Sequence, residues 1–235
     1  MRVLIVALLA SLTVPAWAQN LDNLGALTQG QFRQVSEDLA GALSYRPQSP
    51  TEPLGLFGFD IGVGATGAKL KNAGTMALAS SNGAPSTMVI PTMQARLGLP
   101  FRFDIGAAYS QVPDSNITTY GGELAFAFIE GSTTMPAIGI RGSMTTVSGI
   151  SQLDLDTRAL DVSISKGIAF MTPYGGLGRV WATSTPKGVA LSKEEVALNK
   201  YYVGVGFKIL LLNLNLEADK TGEVLAYSAK LGLRF

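Results

Sequence analysis

The sequence of 235 residues contains no histidine and no cysteine, and charged residues make up only 15% of it. Without histidine the commonest general base and metal ligand are missing. Without cysteine there are no thiolate nucleophiles, disulfides or sulfur-bound zinc sites. Lysine and arginine nearly balance the acidic residues and form no basic run of the kind that binds nucleic acid. We therefore expect no enzyme built on those groups, no metal site, no cofactor and no nucleic-acid partner.

Long hydrophobic runs are missing as well. No stretch offers the roughly 20 uninterrupted apolar residues of a membrane helix. Residues 3–12 form a shorter apolar run after the positive start at Arg2, and Ala16 and Ala18 then give the A-x-A pattern of a cleavage site. The first 18 residues are therefore predicted to be a cleaved secretory signal peptide.

Residues 54–235 alternate between apolar and polar side chains with a period of two, in segments separated by turn residues. A typical segment sets Tyr201, Val203, Val205 and Phe207 against Tyr202, Gly204, Gly206 and Lys208. The polar face is mostly Gly, Ser, Ala and Asn, which suits an enclosed interior better than the Lys- and Glu-rich outer face of a soluble β-sandwich. We predict an all-β fold: a transmembrane antiparallel up-and-down β-barrel of about ten strands, with eight or twelve also possible.

The polar face also carries charged residues of both signs. The expected interior set is Arg96, Arg102, Arg141, Arg179, Lys208, Lys230 and Arg234 against Asp60, Asp104, Glu123, Asp161, Glu217 and Asp219. Arg179 is placed inward, with Tyr174 and Val180 outward, because an arginine facing mid-bilayer lipid costs roughly 2 to 4 kcal/mol. Buried charges are tolerable when paired. The interior is therefore either a salt-bridged lumen that holds the barrel shut or a charge-lined conduit.

The spacing of the strands separates short turns from long connections. Short turns are expected near residues 98–100, 130–133, 166–167 and 210–211, and longer connections near 67–87, 111–117, 147–151, 184–199 and 220–223. Outer-membrane barrels have short periplasmic turns and longer outer loops, so Phe235 is expected at the periplasmic end. Trp181, Tyr120, Tyr201, Tyr202 and Tyr227 are predicted interfacial aromatic anchors.

Residues 19–53 precede the barrel and differ from it in composition. Phe32, Val35, Leu39 and Leu43 recur at helical spacing, and Thr28 with Gln31 has the spacing of a capping box. The pattern predicts one α-helix over residues 29–44, followed by an extended proline-rich linker over 48–53. We expect the helix at or inside the periplasmic mouth, either as a plug or gate, or packed on the barrel end to bury its apolar stripe.

The last nine residues, Tyr227 to Phe235, resemble the C-terminal strand of small Gram-negative outer-membrane β-barrels, porin-like proteins among them. The resemblance implies a Gram-negative outer membrane, contact with its lipid and lipopolysaccharide, and recognition of Tyr227, Leu231, Leu233 and Phe235 by the barrel-assembly machinery. Enzymes of this architecture, such as the omptin-like proteases, use a catalytic histidine that is missing here. No subfamily is identified, and no enzymatic activity is expected.

Two functions follow from these observations. The first is a narrow channel or carrier for small solutes. Its expected lining residues are Asp60, Arg102, Asp104, Glu123, Arg141, Asp161, Arg179, Lys208, Glu217 and Lys230. The alternative is a non-conducting structural or adhesive barrel that acts through its extracellular loops. Ten strands lie near the closed limit, because eight leave an interior just filled by side chains.

Overall fold

Strands of alternating polarity pair in sequence order, each antiparallel to the next, and the last pairs with the first. The computed structural model describes residues 20–81, 83–132 and 134–235. The predicted signal peptide lies outside these residues. The described residues form the helices α1 Gln29–Leu43 and α2 Ala73–Leu78, and ten strands: β1 Phe59–Lys69, β2 Thr87–Gly98, β3 Phe103–Gln111, β4 Thr118–Glu130, β5 Ala137–Ser148, β6 Leu153–Ser165, β7 Met171–Pro186, β8 Glu194–Ile209, β9 Leu212–Thr221 and β10 Val224–Arg234. The predicted ten-stranded up-and-down barrel is confirmed.

The barrel closes where the end of the chain meets β1. Asp60 lies opposite Arg234, and the amide of Phe235 donates to the carbonyl of Phe59 at 2.9 Å. The rings of these two phenylalanines stack with their centroids 5.9 Å apart. Because every strand then has two neighbours, no sheet edge is left unpaired, which is what a hydrocarbon surrounding requires.

The outer face of the barrel is an apolar band. Ile61, Val63 and Leu231 each expose more than half of their side-chain surface, whereas the residues between them on the same strands point inward. So many exposed aliphatic side chains would be unfavourable in water. The alternation therefore matches a barrel surrounded by lipid.

The two ends of the barrel differ in the length of their connections. At the end that holds Phe235, here called the turn end, the connections are residues 99–102, 131–136, 166–170 and 210–211. At the opposite end, here called the loop end, they are residues 70–86, 112–117, 149–152, 187–193 and 222–223, and the first of these contains α2. The longest connections therefore fall at the loop end, as the sequence predicts.

Helix α1 covers almost the predicted residues, but it lies at the loop end of the barrel and not at the turn end. Its N-cap Thr28 accepts from the amide of Gln31, and the Gln31 side chain accepts from the amide of Thr28, which completes the capping box. The helix contacts α2 and the loop-end halves of β7, β8 and β10. The expectation of a helix at the mouth beside Phe235 is wrong. No helix of the described residues is long and apolar enough to cross a membrane.

The position of α1 follows from the inner faces of the strands at the loop end, which are apolar there. Phe32, Val35 and Leu39 are fully buried and pack among inward side chains such as Leu155 and Val196. Full burial of an aliphatic or aromatic side chain stabilises by about 1.5 to 3 kcal/mol. The loop-end opening is thus filled by a hydrophobic core, whereas the rest of the lumen is polar.

Candidate functional site: the lumen and the segment that fills it

Residues 44–54, here called the lumen segment, run from the end of α1 down the inside of the barrel to the turn end. Residues 44–50 are buried throughout. The amide of Leu54 donates to Asp104 Oδ1 at 3.1 Å, close to the turn end. The prolines at 47, 50 and 53 keep this stretch extended, because they disfavour both helix and sheet. The predicted proline-rich linker therefore exists, and it occupies the lumen.

The polar groups of the lumen segment bond to the barrel wall along its length. The carbonyl of Tyr45 accepts from Lys200 Nζ at 3.0 Å. Lower down, the Gln48 side-chain amide donates to Thr66 Oγ1 at 3.2 Å. Near the turn end, Thr51 Oγ1 donates to Ser163 Oγ at 2.8 Å. Buried backbone groups need such partners, and the wall supplies them from several strands.

Arg46 joins α1, the lumen segment and the wall. Its guanidinium donates to the carbonyls of Gly41 and Ala42, at 2.6 Å each, and so satisfies the last turn of α1. The same group pairs with Asp219 of β9 at 2.7 Å, with both side chains buried. A cation at a helix C-terminus is favourable, and this one also neutralises a buried carboxylate.

Charged residues of the wall form ion-paired clusters beside the lumen segment. The carboxylate of Glu123 forms ion pairs with the guanidinium groups of Arg96, at 2.6 Å, and Arg141, at 2.9 Å. Arg96 also pairs with Asp104 at 3.0 Å. All four side chains are buried. Two further clusters lie elsewhere on the wall. In one, Lys230 pairs with Asp60 at 3.2 Å, and Asn213 donates to the same carboxylate at 3.0 Å. In the other, Lys200 Nζ lies 3.6 Å from the carboxylate of Asp161.

Most of the charged residues expected in the interior lie there. The buried ones are Asp60, Arg96, Asp104, Glu123, Arg141, Asp161, Glu217, Asp219 and Lys230. Arg234 is half-buried at the turn end, where it donates to the carbonyl of Glu52 of the lumen segment at 3.1 Å. Glu217 accepts from the hydroxyl of Tyr174 at 3.0 Å. The alternation of the strands therefore brings these residues together.

Arg102 is not a lumen residue. It lies in the turn before β3, where the backbone φ angles of Phe101 and Arg102 are 61° and 67° and interrupt the alternation. Its side chain is about half exposed and pairs with Glu130 at 2.6 Å. The prediction counted Arg102 as part of the strand, whereas the strand begins one residue later.

Arg179 is not a lumen residue either. Tyr174 and Val180 are buried inside the barrel, so the residue between Gly178 and Val180 points outward, and Arg179 is exposed. The argument from the cost of an arginine in lipid assumed mid-bilayer depth. Arg179 lies midway along β7, opposite Leu160 and Asn199, but the outward residues beyond Trp181 toward the loop end, Thr183 and Thr185, are polar.

Lys208 and Tyr202 also lie elsewhere than expected. Lys208 has the inward parity of β8 but stands near the turn end of the strand, where it is exposed. Tyr202, expected as an interfacial anchor, is buried in the lumen, and Lys200 Nζ lies 5.4 Å from its ring centroid. Lys200 itself was missed, although its even number on β8 is the inward parity. Arg46 was missed as well, and strand parity could not have predicted it, because it belongs to no strand.

At the loop end, α1 contacts the connections between strands and closes the opening. The Gln29 side chain exchanges hydrogen bonds with the backbone of Ser192, at 2.9 and 3.0 Å. The amide of Asn72, just before α2, donates to Asp38 Oδ2 at 2.6 Å. Burial raises the pKa of the Asp38 carboxyl above its ordinary value, and the hydrogen bonds from Asn72 oppose that shift.

The lumen segment leaves little free space beside it. A cavity of about 30 Å³ remains between the segment and the wall, lined by Tyr45, Gln48, Thr92, Gln94 and Thr145 among others. That is room for one or two water molecules. The described residues include no group of three or more acidic side chains placed to hold a metal ion. In this conformation the lumen is a packed, charge-paired interior.

The four residues of the predicted assembly signal share the outer face of the last strand. Tyr227, Leu231, Leu233 and Phe235 all point outward and are exposed. The closed ten-stranded barrel with its apolar exterior is now complete. The chain has the architecture of an outer-membrane β-barrel.

Comparison with known proteins places the chain in no family. No family model and no curated protein matches the chain. Solved structures that resemble it include the KdgM porin in complex with disordered oligogalacturonate, 7% identical over 75% of this chain and 99% of that one, with a TM-score of 0.40. Ail, the attachment invasion locus protein of Yersinia pestis, is 14% identical over 76% and 97%, with a TM-score of 0.32. The translocator domain of the autotransporter NalP from Neisseria meningitidis is 9% identical over 88% and 94%, with a TM-score of 0.38.

Proposed function

We propose that this protein is an outer-membrane barrel of a Gram-negative bacterium that is closed by its own N-terminal segment. In this conformation it does not conduct solutes. It acts through the surface that α1, α2 and the connections build at the loop end. The observation that supports the proposal is the filled lumen: residues 44–54 bond to the wall, and the cavity beside residues 44–48 is only about 30 Å³, whereas the turn-end mouth beside residues 52–54 is open. The proposal assigns the protein no enzymatic role.

The anchoring of the segment at both ends supports a closed resting state. The apolar stripe of α1 fills the loop-end opening, and the pairs Arg46–Asp219 and Arg234–Glu52 tie the segment to the wall above and below. Removing one partner of a buried ion pair typically costs about 3 to 5 kcal/mol. Withdrawal of the segment would break the Arg46–Asp219 ion pair together with several hydrogen bonds to the wall, and would expose the apolar core.

A second candidate is a channel that opens when the lumen segment moves aside. The polar wall beneath the segment favours it, since Arg141, Asp161 and Lys230 would then line a conduit for small solutes. This is the charge-lined passage predicted from the sequence, with the segment as its gate. Mobility of the segment distinguishes the two candidates.

A disulfide lock tests that mobility, and the absence of native cysteine makes it clean. Thr51→Cys with Ser163→Cys would join the segment to β6, because the two hydroxyl oxygens lie 2.8 Å apart. Thr92→Cys with Ser110→Cys is the matched control. Those oxygens are also 2.8 Å apart, but both belong to the wall, on β2 and β3. Single-channel conductance of the full chain is recorded in planar bilayers, with each pair oxidised and then reduced.

The closed barrel predicts silence from the native chain and from both pairs in either redox state. Openings that disappear only when residues 51 and 163 are joined, and persist with the control disulfide, would establish the gated channel and contradict the closed barrel. Openings that persist with both disulfides would place the conduction path beside the segment. That result would contradict both candidates.

The outward-facing C-terminal strand also supports a partner during biogenesis. The outward face of this strand exposes the apolar side chains of Tyr227, Leu231, Leu233 and Phe235. We propose that the barrel-assembly machinery recognises these side chains. Replacing Phe235 with Ser should lower the folded fraction in cells while leaving refolding in detergent unchanged. Equal losses in both settings would indicate a packing role at the β1–β10 seam instead.

A further inference from the structure

Above the apolar band, toward the loop end, each strand reaches a first outward polar residue. On β2 to β5 these residues are uncharged: Thr87, Gln111, Thr118 and Thr146. On β6, β7, β9 and β1 they are Arg158, Arg179, Lys220 and Lys69, and all four are exposed. On β8 the residue is Asn199, and the nearest outward carboxylates, Asp156 and Glu223, lie one outward position further toward the loop end. One half of the circumference is therefore richer in cations than the other where the apolar surface ends.

Arg158 and Arg179 are the two neighbouring cations within this half whose charges are uncompensated, whereas Lys69, which also lacks an ion-pair partner among the described residues, stands apart on β1. Within the part of the chain that the structure describes, neither guanidinium has a hydrogen-bond or ion-pair partner. Two acidic residues lie further out on the same face: Asp156 accepts from the hydroxyl of Thr146 at 2.7 Å, and Asp154 pairs with Lys187. On β9, Lys220 pairs with Glu223 at 3.4 Å. The two arginines are thus free to bind an external anion.

The register brings the two arginines onto one patch. Arg158 lies directly opposite Trp181, and Arg179 is two residues from Trp181 on the same outward face. Diagonal neighbours of this kind are about 7 to 8 Å apart at their backbones, within reach of long side chains. Leu160 and Leu177 lie below them, toward the apolar band. Two guanidinium groups therefore flank one tryptophan at the edge of the lipid-facing surface.

The depth and charge of the patch define its ligand. An arginine on a lipid-facing strand is tolerated near the interface and strongly disfavoured at mid-bilayer, so the patch lies at headgroup height. Phosphate is the anion found there, and arginine binds it through parallel N–H donors. We propose that Arg158 and Arg179 form a binding site for the phosphate of an anionic lipid headgroup in the leaflet at the loop end. This inference rests on the membrane location proposed above.

The turn end lacks a comparable site. Its outward arginine, Arg102, is already paired with Glu130 at 2.6 Å. The barrel therefore distinguishes the two leaflets: it would hold anionic lipid at the loop end and has no such free pair at the turn end among the residues described.

Trp181 reports directly on lipid at this patch. The sequence has two tryptophans, so Trp17→Phe leaves Trp181 as the single tryptophan of the full chain, which is excited selectively at wavelengths that tyrosine does not absorb. The protein is inserted into phosphatidylcholine vesicles that contain either brominated phosphatidylglycerol or brominated phosphatidylcholine, and contact quenching gives the relative binding of the two lipids. We expect the anionic lipid to bind about fivefold more strongly for each arginine that it contacts.

The double variant Arg158→Gln with Arg179→Gln should reduce this preference to about one, by the same reasoning. The matched control is Lys187→Gln with Lys193→Gln, which removes equal charge from the β7–β8 connection beyond the band and should keep the preference. Equal quenching by the two lipids in the native background overturns the site. A preference that survives in the arginine variant, or falls equally in the control, overturns it as well. No quenching by either lipid would mean that Trp181 does not meet a membrane, which overturns the site and the proposed location together.

Two lipid sources carry this phosphate. Unbrominated lipid A and unbrominated phosphatidylglycerol are titrated separately into the sample that contains brominated phosphatidylglycerol. Recovery of Trp181 fluorescence at lower mole fraction with lipid A supports a site for lipopolysaccharide, and the reverse order supports one for a glycerophospholipid. No recovery with either overturns phosphate binding.

Discussion

The strongest contacts in the lumen converge on single carboxylates. Glu123 holds Arg96 on one oxygen and Arg141 on the other, at 2.6 and 2.9 Å, with no solvent exposure of its own side chain. The carboxylate on β4 thus joins buried guanidinium groups of β2 and β5, and Asp104 supplies the second negative charge beside Arg96. A charge buried in this way depends on its partner, because it has no water to replace it.

Replacing Glu123 with Gln should therefore destabilise the barrel strongly. The change leaves Arg141 without its ion-pair partner, and loss of one member of a buried pair costs about 3 to 5 kcal/mol. Urea unfolding of the detergent-folded protein, followed by tryptophan fluorescence, measures the free energy. Glu130→Gln is the matched control: its pair with Arg102 has the same 2.6 Å separation but is about half exposed, and exposed pairs contribute about 0 to 1 kcal/mol. Equal effects of the two changes would show that Glu123 is not desolvated.

The residue-level predictions succeed where strand parity decides and fail where it does not. All six predicted interior acids are buried because each lies within a regular strand. Arg102 fails because a left-handed turn ends the alternation just before β3. Arg179 fails because an energetic argument that holds only at mid-bilayer depth replaced the parity of β7. Arg46 was beyond prediction from strand parity, since it enters the lumen from a segment outside the sheet.

At the level of elements, the contact between α1 and the barrel depends on small residues. Gly41 lies near the end of the helix, where it meets the connection between β9 and β10. A Cβ added there would lie 2.8 Å from Val224 Cγ2 and 2.9 Å from the carbonyl oxygen of Thr221. The backbone oxygen cannot move away as a flexible side chain would, so this position requires glycine.

Gly41→Ala should loosen α1 from the loop end, although alanine favours helix formation. The steric conflict costs about 1 to 3 kcal/mol, which exceeds the gain of about 1 kcal/mol in helix propensity. Hydrogen exchange of the peptide 29–43, measured by mass spectrometry, should become faster. In the same helix a Cβ at Gly30 meets nothing within 4 Å, so Gly30→Ala should slow the exchange. Slower exchange in both variants would show that the helix does not press against the β9–β10 connection.

Element boundaries followed from the sequence, whereas the location of α1 did not. The capping box and the apolar stripe predict the helix to within one residue of its observed end at Leu43. Its location depends on the inner faces of the strands, which turn apolar only near the loop end, at residues such as Leu155, Val196 and Val224. Alternation identifies which face is inside but not how the polarity of that face changes along the strand. The sequence therefore did not reveal which surface of the barrel packs against the apolar stripe of α1.

On the scale of the whole molecule, the lumen segment crosses the height of the apolar band in addition to the strands of the barrel. The lumen segment, residues 44–54, rises at most about 3.5 Å per residue when extended. Its length is therefore sufficient to pass an apolar band about 25 Å tall. It connects α1 at the loop end with β1, which begins at the turn end beside Phe235. The described N-terminal residues and the C-terminal Phe235 thus lie on opposite sides of the barrel.

This threaded topology predicts the sidedness of the protein in a membrane. Single cysteines are introduced at Glu37 in α1, Lys187 at the loop end and Leu210 at the turn end, all exposed positions in a chain without native cysteine. The variants are inserted into vesicles with a preferred orientation and treated from outside with a membrane-impermeant maleimide. The labelled fractions at positions 37 and 187 should be equal, and position 210 should show the complementary fraction. Joint labelling of positions 37 and 210 would place α1 on the turn side, where the sequence alone suggested it, and would mean that the lumen segment does not traverse the barrel.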